Sequence, residues 1–346
     1  RSGSHLSQGN VRISRGRSRL VLYRRLAHAQ LARAVIVEEG LVLAVARKCE
    51  YRPLCTVVLH DNRHSALCGI FLDLTLKCRI LLRFLREHVH GVFICGSYGC
   101  GPLMSVEERK RVAEIAAQER GGLQVVVMTG CANTRDTIEL SLHARDLGLD
   151  AASAVAPYYY HHNMDDVCTY YGDIVQAVGP DFPFYIYSNP KFSGYPVDIK
   201  TMRRLKELGL AGCKDATFNI MDLANIKREF KGEDFDVALG TEAMWLPASV
   251  YGVEAFIPGI ANVFPELCVK MYEEAKRGDY KACLDTQFRV NELRDIMYLA
   301  SSTQLAVYTM LELRGIVKAY PRKPFTPATP EQKESIRSAL IEHGVL

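Results

Sequence analysis

Leu210-Ala-Gly-Cys-Lys-Asp-Ala-Thr217 is the stretch around which the rest of the chain can be organised. Its apolar run ends on Lys214, and a helix-forming segment begins at Asn219. In α/β barrels the carboxyl ends of the parallel strands carry the catalytic groups. A lysine partly removed from water there loses its proton near neutral pH and attacks carbonyl carbons. A surface lysine that caps the next turn fits the same residues, so the stretch alone leaves both interpretations open.

The pattern of a strand followed by a helix recurs along the chain. We predict eight such units, with strands at residues 54–59, 91–95, 123–128, 151–156, 183–187, 210–214, 234–239 and 253–257. Alternation of this kind implies parallel pairing, and eight units close a barrel. An open doubly wound sheet is the alternative, but no Gly-x-Gly-x-x-Gly stands between a strand and a helix. The predicted fold class is therefore α/β, a (β/α)8 TIM barrel with a C-terminal all-helical extension.

Three regions follow from this pattern. Residues 1–52 form an atypical basic N-terminal extension without a clear assignment. Residues 20–45 are rich in Leu, Ala, Val and Arg and are compatible with a helix, but they show no clear cap or turn chemistry, and a disordered or frame-shifted extension is the alternative. Residues 53–278 form the barrel and residues 279–346 the helical region. Residues 1–90 carry 16 Lys/Arg against 6 Asp/Glu, but without interleaved aromatic residues, so nucleic-acid binding is not favoured. Because no apolar run reaches about 20 residues, a membrane span is not predicted.

The cysteines indicate a reducing compartment. Their number, eleven, is odd, none forms a Cys-x-x-Cys pair, and several stand inside apolar runs. Reduced, buried thiols in a cytoplasmic protein fit this pattern better than a disulfide framework or a zinc site. The neighbouring His161 and His162 rarely face one ion together, so we predict no metal, and no motif for a cofactor is present.

Polar residues follow several of the predicted strands and converge on one mouth. The segment Gly96-Ser97-Tyr98-Gly99 offers hydroxyls and unhindered amides that suit a carboxylate, or it is a tight turn that needs glycine. Tyr187 is either a core residue or a proton carrier. Gly240 and Glu242 follow the seventh strand, and Ile257 ends the eighth. A lysine, a phenol and an anion-binding loop together suit imine chemistry on a 2-keto acid.

Residues 89–346 resemble the dihydrodipicolinate synthase/N-acetylneuraminate lyase family of class I, pyruvate-type aldolases. The matching pieces are Gly96-Ser-Tyr-Gly with Gly101-Pro102, Pro157-Tyr-Tyr159, Tyr187-Ser-Asn-Pro190 with Gly194, Gly212-Cys-Lys-Asp215, and residues 259–262. Residues 1–88 do not match. The arginine- and cysteine-rich text before His88 looks like a shifted reading frame or a foreign extension.

The resemblance implies roles for individual residues. Lys214 is expected to be the Schiff-base lysine and Tyr187 the proton-transferring phenol. Ser97 and Tyr98 are expected to bind the substrate carboxylate and relay protons, and Tyr159 to enter the neighbouring subunit's site. The family further implies a homo-oligomer, usually a tetramer built from dimers. The substrate-binding positions expected at the same mouth are Gly96, Tyr98, Gly240, Glu242 and Ile257.

Two departures from the family pattern concern the second substrate. Synthases of this family carry an arginine shortly after the strand-five tyrosine, and Phe192 stands at that place here. Tyr98 and Cys100 replace the threonine and glutamate common in synthases and neuraminate lyases, and the following Gly101-Pro102 is closer to sugar-acid aldolases. In that case Glu242 would accept hydrogen bonds from substrate hydroxyls.

The resemblance predicts a Schiff-base lyase acting on pyruvate or a 2-keto acid, with a 2-keto-3-deoxy sugar acid as one substrate class. A 4-hydroxy-tetrahydrodipicolinate synthase and a 2-keto acid dehydratase of the same family are the alternatives. A catalytically impaired member with a structural role is the alternative of another class, because the first quarter of the chain has no match.

Overall fold

The computed structural model describes residues 63–346 and, before them, four short strands, with side chains described from Thr75 onward. Contacts between residues are concentrated within two compact units of the chain, Arg1–Leu74 and Thr75–Leu346.

The described strands of the first unit form an antiparallel sheet. They are β1 (Leu20–Leu22), β2 (Ala32–Val37), β3 (Gly40–Val45) and β4 (Val58–Leu59), in that order across the sheet. The helical interpretation of residues 20–45 therefore does not hold for the described segments of this range, which are strands. Val37 pairs with Gly40, so β2 and β3 form a hairpin with two residues between them. The β-branched Val35, Ile36 and Val37 favour this extended pairing over the helix that the Leu, Ala and Arg content indicates.

The strand predicted at residues 54–59 is also not where the barrel requires it. Only Val58–Leu59 of this segment are described, and they pair antiparallel with β3 in the first unit. Apolar content alone does not decide which sheet a strand joins, because pairing depends on partners elsewhere in the chain.

The second unit contains a sheet of seven described strands. These are β5 (Gly91–Ile94), β6 (Gln124–Met128), β7 (Ala151–Val155), β8 (Phe184–Ser188), β9 (Gly212–Asp215), β10 (Asp236–Leu239) and β11 (Ala255–Phe256). They lie in chain order and every neighbouring pair is parallel. All seven coincide with predicted strands to within about two residues, and the fold is an α/β fold of the TIM-barrel type.

Helices precede, connect and follow the strands of this sheet. They are α1 (Arg63–Arg86), α2 (Val106–Glu119), α3 (Thr134–Asp146), α4 (Met164–Val178), α5 (Pro190–Ser193), α6 (Ile199–Glu207), α7 (Ile220–Glu229), α8 (Trp245–Val250) and α9 (Pro265–Lys276). The capping box predicted at the start of α2 is confirmed, because the Ser105 and Glu108 side chains each bond the other's backbone amide. This cap fixes where α2 begins, directly after the loop that follows β5.

Two apolar layers position the carboxyl ends of the strands. The larger one lies between the sheet and the helices and includes the fully buried Ile115, Tyr171, Phe184 and Trp245. A smaller cluster, of Met128, Val155, Tyr187 and Ala216, lies at the carboxyl ends of β6 to β9, with Phe93 and Tyr158 packed against it. Apolar side chains therefore exclude water at the carboxyl ends of these strands. Exclusion of water lowers the pKa of a lysine.

The last three helices are α10 (Tyr280–Asp295), α11 (Thr303–Leu313) and α12 (Pro330–Glu342). They belong to the second unit, and α12 contributes the fully buried Ile336 and Leu340 to its core. Among the described helices, none is long and apolar enough to cross a membrane.

Candidate active site

Lys214 lies on β9, the third strand from the β11 end of the sheet, level with Tyr187 on β8 and Ala238 on β10. Lys214 is only 8% exposed. Two aromatic rings face its amine, with Nζ 3.8 Å from the centroid of Phe93 and 4.1 Å from that of Tyr187. The two rings meet edge to face at 5.8 Å and form a corner around the amine. The interpretation of Lys214 as an exposed capping cation is thereby excluded.

Burial lowers the pKa of Lys214 from 10.5 to about 7. Aromatic faces attract a cation, which by itself favours the ammonium form. Loss of hydration is the larger effect here, since no carboxylate counters it. A substantial part of the amine is therefore neutral at physiological pH and carries the lone pair that attacks a carbonyl carbon.

Tyr187 presents its phenol beside this amine and is 6% exposed. Asn189 Nδ2 donates a hydrogen bond of 3.2 Å to the Tyr187 phenol oxygen. Because that bond uses a lone pair and leaves the phenol proton free, the O–H can be directed towards a bound substrate. The proton-carrier role of Tyr187 stays a prediction, and its membership of the inner apolar cluster fits the alternative of a core residue as well.

The loop after β5 presents backbone donors. Within the described chain, the amides of Ser97, Tyr98 and Gly99 donate to no protein group, whereas Cys100 and Gly101 close the loop by bonding the carbonyls of Ser97 and Gly96. Three consecutive amides without a protein acceptor are available to bind an anion. Gly96 lies against Phe93, since an added Cβ would stand 3.0 Å from that ring. The loop therefore adjoins one of the rings that surround Lys214.

Tyr98 is half-buried at the same mouth. Burial raises the pKa of its phenol to about 12, so the group is a neutral donor at physiological pH. Its ring packs directly on Gly259, where an added Cβ would lie 2.5 Å away. A glycine is required there by the close approach of the ring and not by backbone conformation.

Gly240 and Ile257 shape the next part of the mouth. The Gly240 amide donates to the Asp215 carbonyl at 2.6 Å, and an added Cβ at Gly240 would stand 2.7 Å from that oxygen. The Ile257 amide donates to the Leu239 carbonyl at 2.8 Å and continues the ladder beyond β11. Both residues hold backbone next to the lysine strand, which is consistent with the lining role predicted for them.

Glu242 is 2% exposed and already has protein partners. The Gly259 amide donates to Oε2 at 2.9 Å, and Oε1 forms an ion pair of 3.0 Å with Arg294 Nε on α10. Its carboxylate therefore anchors the loops at the mouth. The contact of Glu242 with substrate hydroxyls stays a prediction. Only the carboxylate lone pairs that the Gly259 amide and Arg294 do not use could accept hydrogen bonds from those hydroxyls.

Tyr159 lies apart from this group. It is 85% exposed, has a left-handed φ of 83°, and stacks edge to face on Tyr160 at 4.9 Å. Phe192, at the place expected for an arginine, is exposed on the short helix α5.

The residues Phe93, Asn189, Arg294 and Tyr308 were not singled out from the sequence. Phe93 could have been found, because alternate residues of a strand share one face and place it towards the mouth. Asn189 belongs to the motif Tyr187-Ser-Asn-Pro190, two residues from the phenol to which it donates a hydrogen bond. Arg294 and Tyr308 left no local signal, since their partners lie elsewhere in the chain.

No group of three or more His, Cys, Asp or Glu side chains suited to a metal occurs in the part of the chain that the structure describes. A buried lysine beside a phenol, at the carboxyl end of a strand in a parallel α/β sheet, is the arrangement of an enzyme of the class I aldolase type, a carbon–carbon lyase.

Comparison with known proteins leads to the same class. The profile of the dihydrodipicolinate synthetase family matches residues 75–343, and the chain belongs to this family. The resemblance predicted for residues 89–346 is thus confirmed, with a match that begins earlier.

Individual relatives differ in their activities. The 4-hydroxy-tetrahydrodipicolinate synthase of Thermus thermophilus is 30% identical over 271 residues, which cover 78% of this chain and 90% of the relative. The sialic acid aldolase of Ruminococcus gnavus is similar in structure, with a TM-score of 0.74, 26% identity and coverage of 78% and 91%. The dihydrodipicolinate synthase from Aquifex aeolicus has a TM-score of 0.74 at 24% identity, covers 78% and 92%, and is similar in fold.

Proposed function

We propose that the protein is a Schiff-base lyase that breaks or forms a carbon–carbon bond next to the keto group of a 2-keto acid, with pyruvate as the smaller product or substrate. The observation that carries this proposal is the buried amine of Lys214, held between Phe93 and Tyr187 with its pKa lowered to about 7. A neutral amine in a dry aromatic corner suits attack on a ketone, and it has no evident structural purpose.

Each residue around the amine is assigned a separate step of the reaction. The free amides of the loop after β5, with the Ser97 and Tyr98 hydroxyls, hold the substrate carboxylate and place its C2 carbonyl beside Nζ. Lys214 attacks C2, water leaves, and the resulting iminium accepts the electron pair of the C3–C4 bond as that bond breaks. Tyr187 gives its phenol proton to the C2 hydroxyl that leaves as water, and the resulting phenolate takes the proton of the C4 hydroxyl and delivers it to C3. Attack of water on the iminium then releases pyruvate from the lysine and returns a proton to Tyr187.

The substrate class that we favour is a 2-keto-3-deoxy sugar acid. Phe192 supplies no charge where synthases of the resembled family use an arginine for a second carboxylate, and Gly101-Pro102 resembles the loop of sugar-acid aldolases. Similarity to a sialic acid aldolase supports the same class, since sialic acid is a sugar acid.

Reductive trapping tests the proposal. Incubation with pyruvate and borohydride is expected to leave a stable adduct on Lys214, located by mass spectrometry of the digested protein. Lys214→Ala is expected to abolish the adduct while the circular dichroism spectrum is retained. A folded wild-type protein without an adduct, or an adduct that persists in Lys214→Ala, would refute the proposal.

A second candidate is 4-hydroxy-tetrahydrodipicolinate synthase, because a relative with that name is 30% identical over most of its length. A coupled assay with pyruvate and aspartate semialdehyde separates the two candidates. Rapid turnover of aspartate semialdehyde would show that Phe192 does not prevent binding of this substrate. A 2-keto acid dehydratase is distinguished by loss of water without release of pyruvate.

A catalytically impaired member with a structural role is the candidate from another class. It predicts a cooperative thermal transition and no trapped adduct under any 2-keto acid. The lowered pKa of Lys214 argues against it, because an inactive site has no reason to retain a buried amine at a cost in stability.

We propose further that the sheet belongs to a closed (β/α)8 barrel and that the enzyme is a homo-oligomer. The seven parallel strands wind in chain order, and one more strand between β11 and β5 would close them. Hydrogen exchange tests closure, since slow exchange of the amides of both β5 and β11 is expected only without free edges. The exposed, left-handed Tyr159 supports the oligomer, in which it would enter the neighbouring site.

A further inference from the structure

The loop after β5 has a conformation that its own residues do not favour. Cys95 and Cys100 have left-handed φ angles of 57° and 53°, although neither is glycine. A left-handed conformation costs about 1–2 kcal/mol at a residue with a Cβ. Such strain persists only where surrounding contacts hold the backbone.

A contact from α11 holds this loop. The Tyr308 hydroxyl donates to the Tyr98 carbonyl at 2.7 Å. The Cys100 thiol lies 3.1 Å from the same hydroxyl, and since a phenol has one proton, already given to Tyr98, the thiol is the donor of this second bond. A chain of two hydrogen bonds thus runs from Cys100 through Tyr308 to Tyr98.

The helix that carries Tyr308 is a firm support. Its neighbours Leu305, Ala306, Val307 and Met310 are at most 2% exposed, so α11 is packed into the core around much of its circumference. The Tyr98 ring is fixed from another direction by Gly259. The loop is therefore held from both sides of Tyr98.

The Tyr98 carbonyl determines the direction of the next amide. In a trans peptide the C=O and the following N–H point in opposite directions. With the carbonyl of Tyr98 directed at α11, the Gly99 amide points away from α11, and it donates to no group of the described chain. The hydrogen bond from Tyr308 thus determines which way one of the three free amides faces.

We propose that Tyr308 is a positioning residue, through which α11 orients the Tyr98–Gly99 peptide so that the Gly99 amide faces the carboxylate of the 2-keto acid. This inference rests on the proposed function, because it assumes that the loop binds that carboxylate. Tyr308 does not touch the reacting atoms and acts only through the peptide that it bonds.

Tyr308→Phe in the full chain tests the role, with two ketones as probes. Pyruvate needs the carboxylate-binding loop, whereas acetone forms an imine with the same lysine but has no carboxylate. In both cases the amine bonds to the carbonyl carbon, the carbonyl oxygen leaves as water, and hydride from borohydride reduces the iminium to a stable secondary amine. The rate of adduct formation is measured against the concentration of each ketone.

Tyr308→Phe is expected to raise the pyruvate concentration for half-maximal trapping about threefold to tenfold, the effect of one lost hydrogen bond, and to leave trapping by acetone unchanged. Tyr280→Phe, an exposed tyrosine on α10, is the matched control and is expected to change neither. Equal losses for both ketones, or no change for either, would overturn the positioning role. Absence of any adduct in the wild-type protein would instead refute the proposed function, so the two failures are distinguishable.

Discussion

Burial gives Lys214 a different chemistry from an exposed lysine. Its amine lies at the carboxyl end of β9, where two aromatic rings replace water, and its pKa is lowered to about 7. The site needs no neighbouring carboxylate to deprotonate the nucleophile, because desolvation alone does so. Reactivity at this residue is therefore a consequence of packing.

The pH dependence of imine formation follows directly. The neutral amine is the reactive form, so the rate of trapping at low pyruvate is expected to rise about tenfold per pH unit below 7 and to level off above it. Cyanoborohydride, which survives at acidic pH, serves as the reductant. A midpoint near 10.5, the ordinary value for lysine, would contradict the assigned burial.

Burial of Lys214 also lowers stability in a pH-dependent way. Between about pH 7 and 10.5 the unfolded chain binds a proton that the folded chain does not, so the free energy of unfolding contributed by this group rises with pH. The cost is fully present below pH 7. Lys214→Met, which keeps the volume without the charge, is expected to raise the free energy of unfolding at pH 7 by on the order of 3–4 kcal/mol.

Denaturant titrations at several pH values check this result. The gain from Lys214→Met is expected to shrink as pH approaches 10.5, while Lys231→Met, at an exposed lysine, should give little change at any pH. A pH-independent gain would show that packing, and not the charge, is responsible.

At the scale of elements, the loop between β5 and α2 depends on one close backbone approach. A Cβ added at Gly101 would lie 1.8 Å from the Cys95 carbonyl oxygen. The backbone could relieve this clash only by moving Cys95 and Cys100, which already have left-handed φ angles. The loop as a whole would therefore shift. The three free amides would shift with it.

Gly101→Ala is therefore expected to weaken pyruvate trapping at least about tenfold and to lower the free energy of unfolding by about 2 kcal/mol or more. Gly122→Ala is the control, since an added Cβ there meets nothing within 4 Å. Trapping assays and thermal melts of both variants provide the measurement. Wild-type trapping in Gly101→Ala would show that the loop conformation is not needed for binding.

The Glu242 carboxylate joins the loops after β10 and β11 through a hydrogen bond and an ion pair. Glu242 connects the Gly259 amide with Arg294 of α10, and all three groups lie at the mouth. A buried carboxylate with one partner removed costs about 3–5 kcal/mol, so this element is stabilised jointly by strand and helix. The C-terminal helices therefore reach the site at two points, through Arg294 and through Tyr308.

At the scale of the whole molecule, the proposed oligomer makes a prediction about shared sites. If Tyr159 completes the neighbouring site, Tyr159→Ala and Lys214→Ala are each inactive alone. Mixing the two after reversible dissociation forms hybrids in which one site has both residues intact. Activity is then expected to recover to about a quarter of the wild-type level, the statistical share for a dimer that exchanges subunits freely.

Two measurements accompany this experiment. Light scattering with size-exclusion chromatography shows whether the chain is a dimer or tetramer, and mass spectrometry of differently labelled chains confirms that subunits exchange. Exchange without recovered activity would show that Tyr159 acts within its own subunit or not at all.

Local patterns in the sequence determined much of this protein. The seven strands of the parallel sheet, the capping box at Ser105, the position of Lys214 at a strand end and the family match could all be predicted, because each depends on neighbours within a few residues or on a motif of fixed spacing. The failures are as informative. The described segments within residues 20–45 are strands, and Val58–Leu59 pair outside the parallel sheet, since strand pairing depends on distant partners.

Only the tertiary structure decided what those residues can do. The dry corner around Lys214 needs Phe93 and Tyr187 from two other strands, and burial by distant groups is what lowers its pKa. Glu242 meets Arg294, and Tyr98 meets Tyr308, across separations that no local pattern records. The sequence determined that a lysine lies at the end of a strand, and long-range packing, which removes water from its amine, made it a candidate nucleophile.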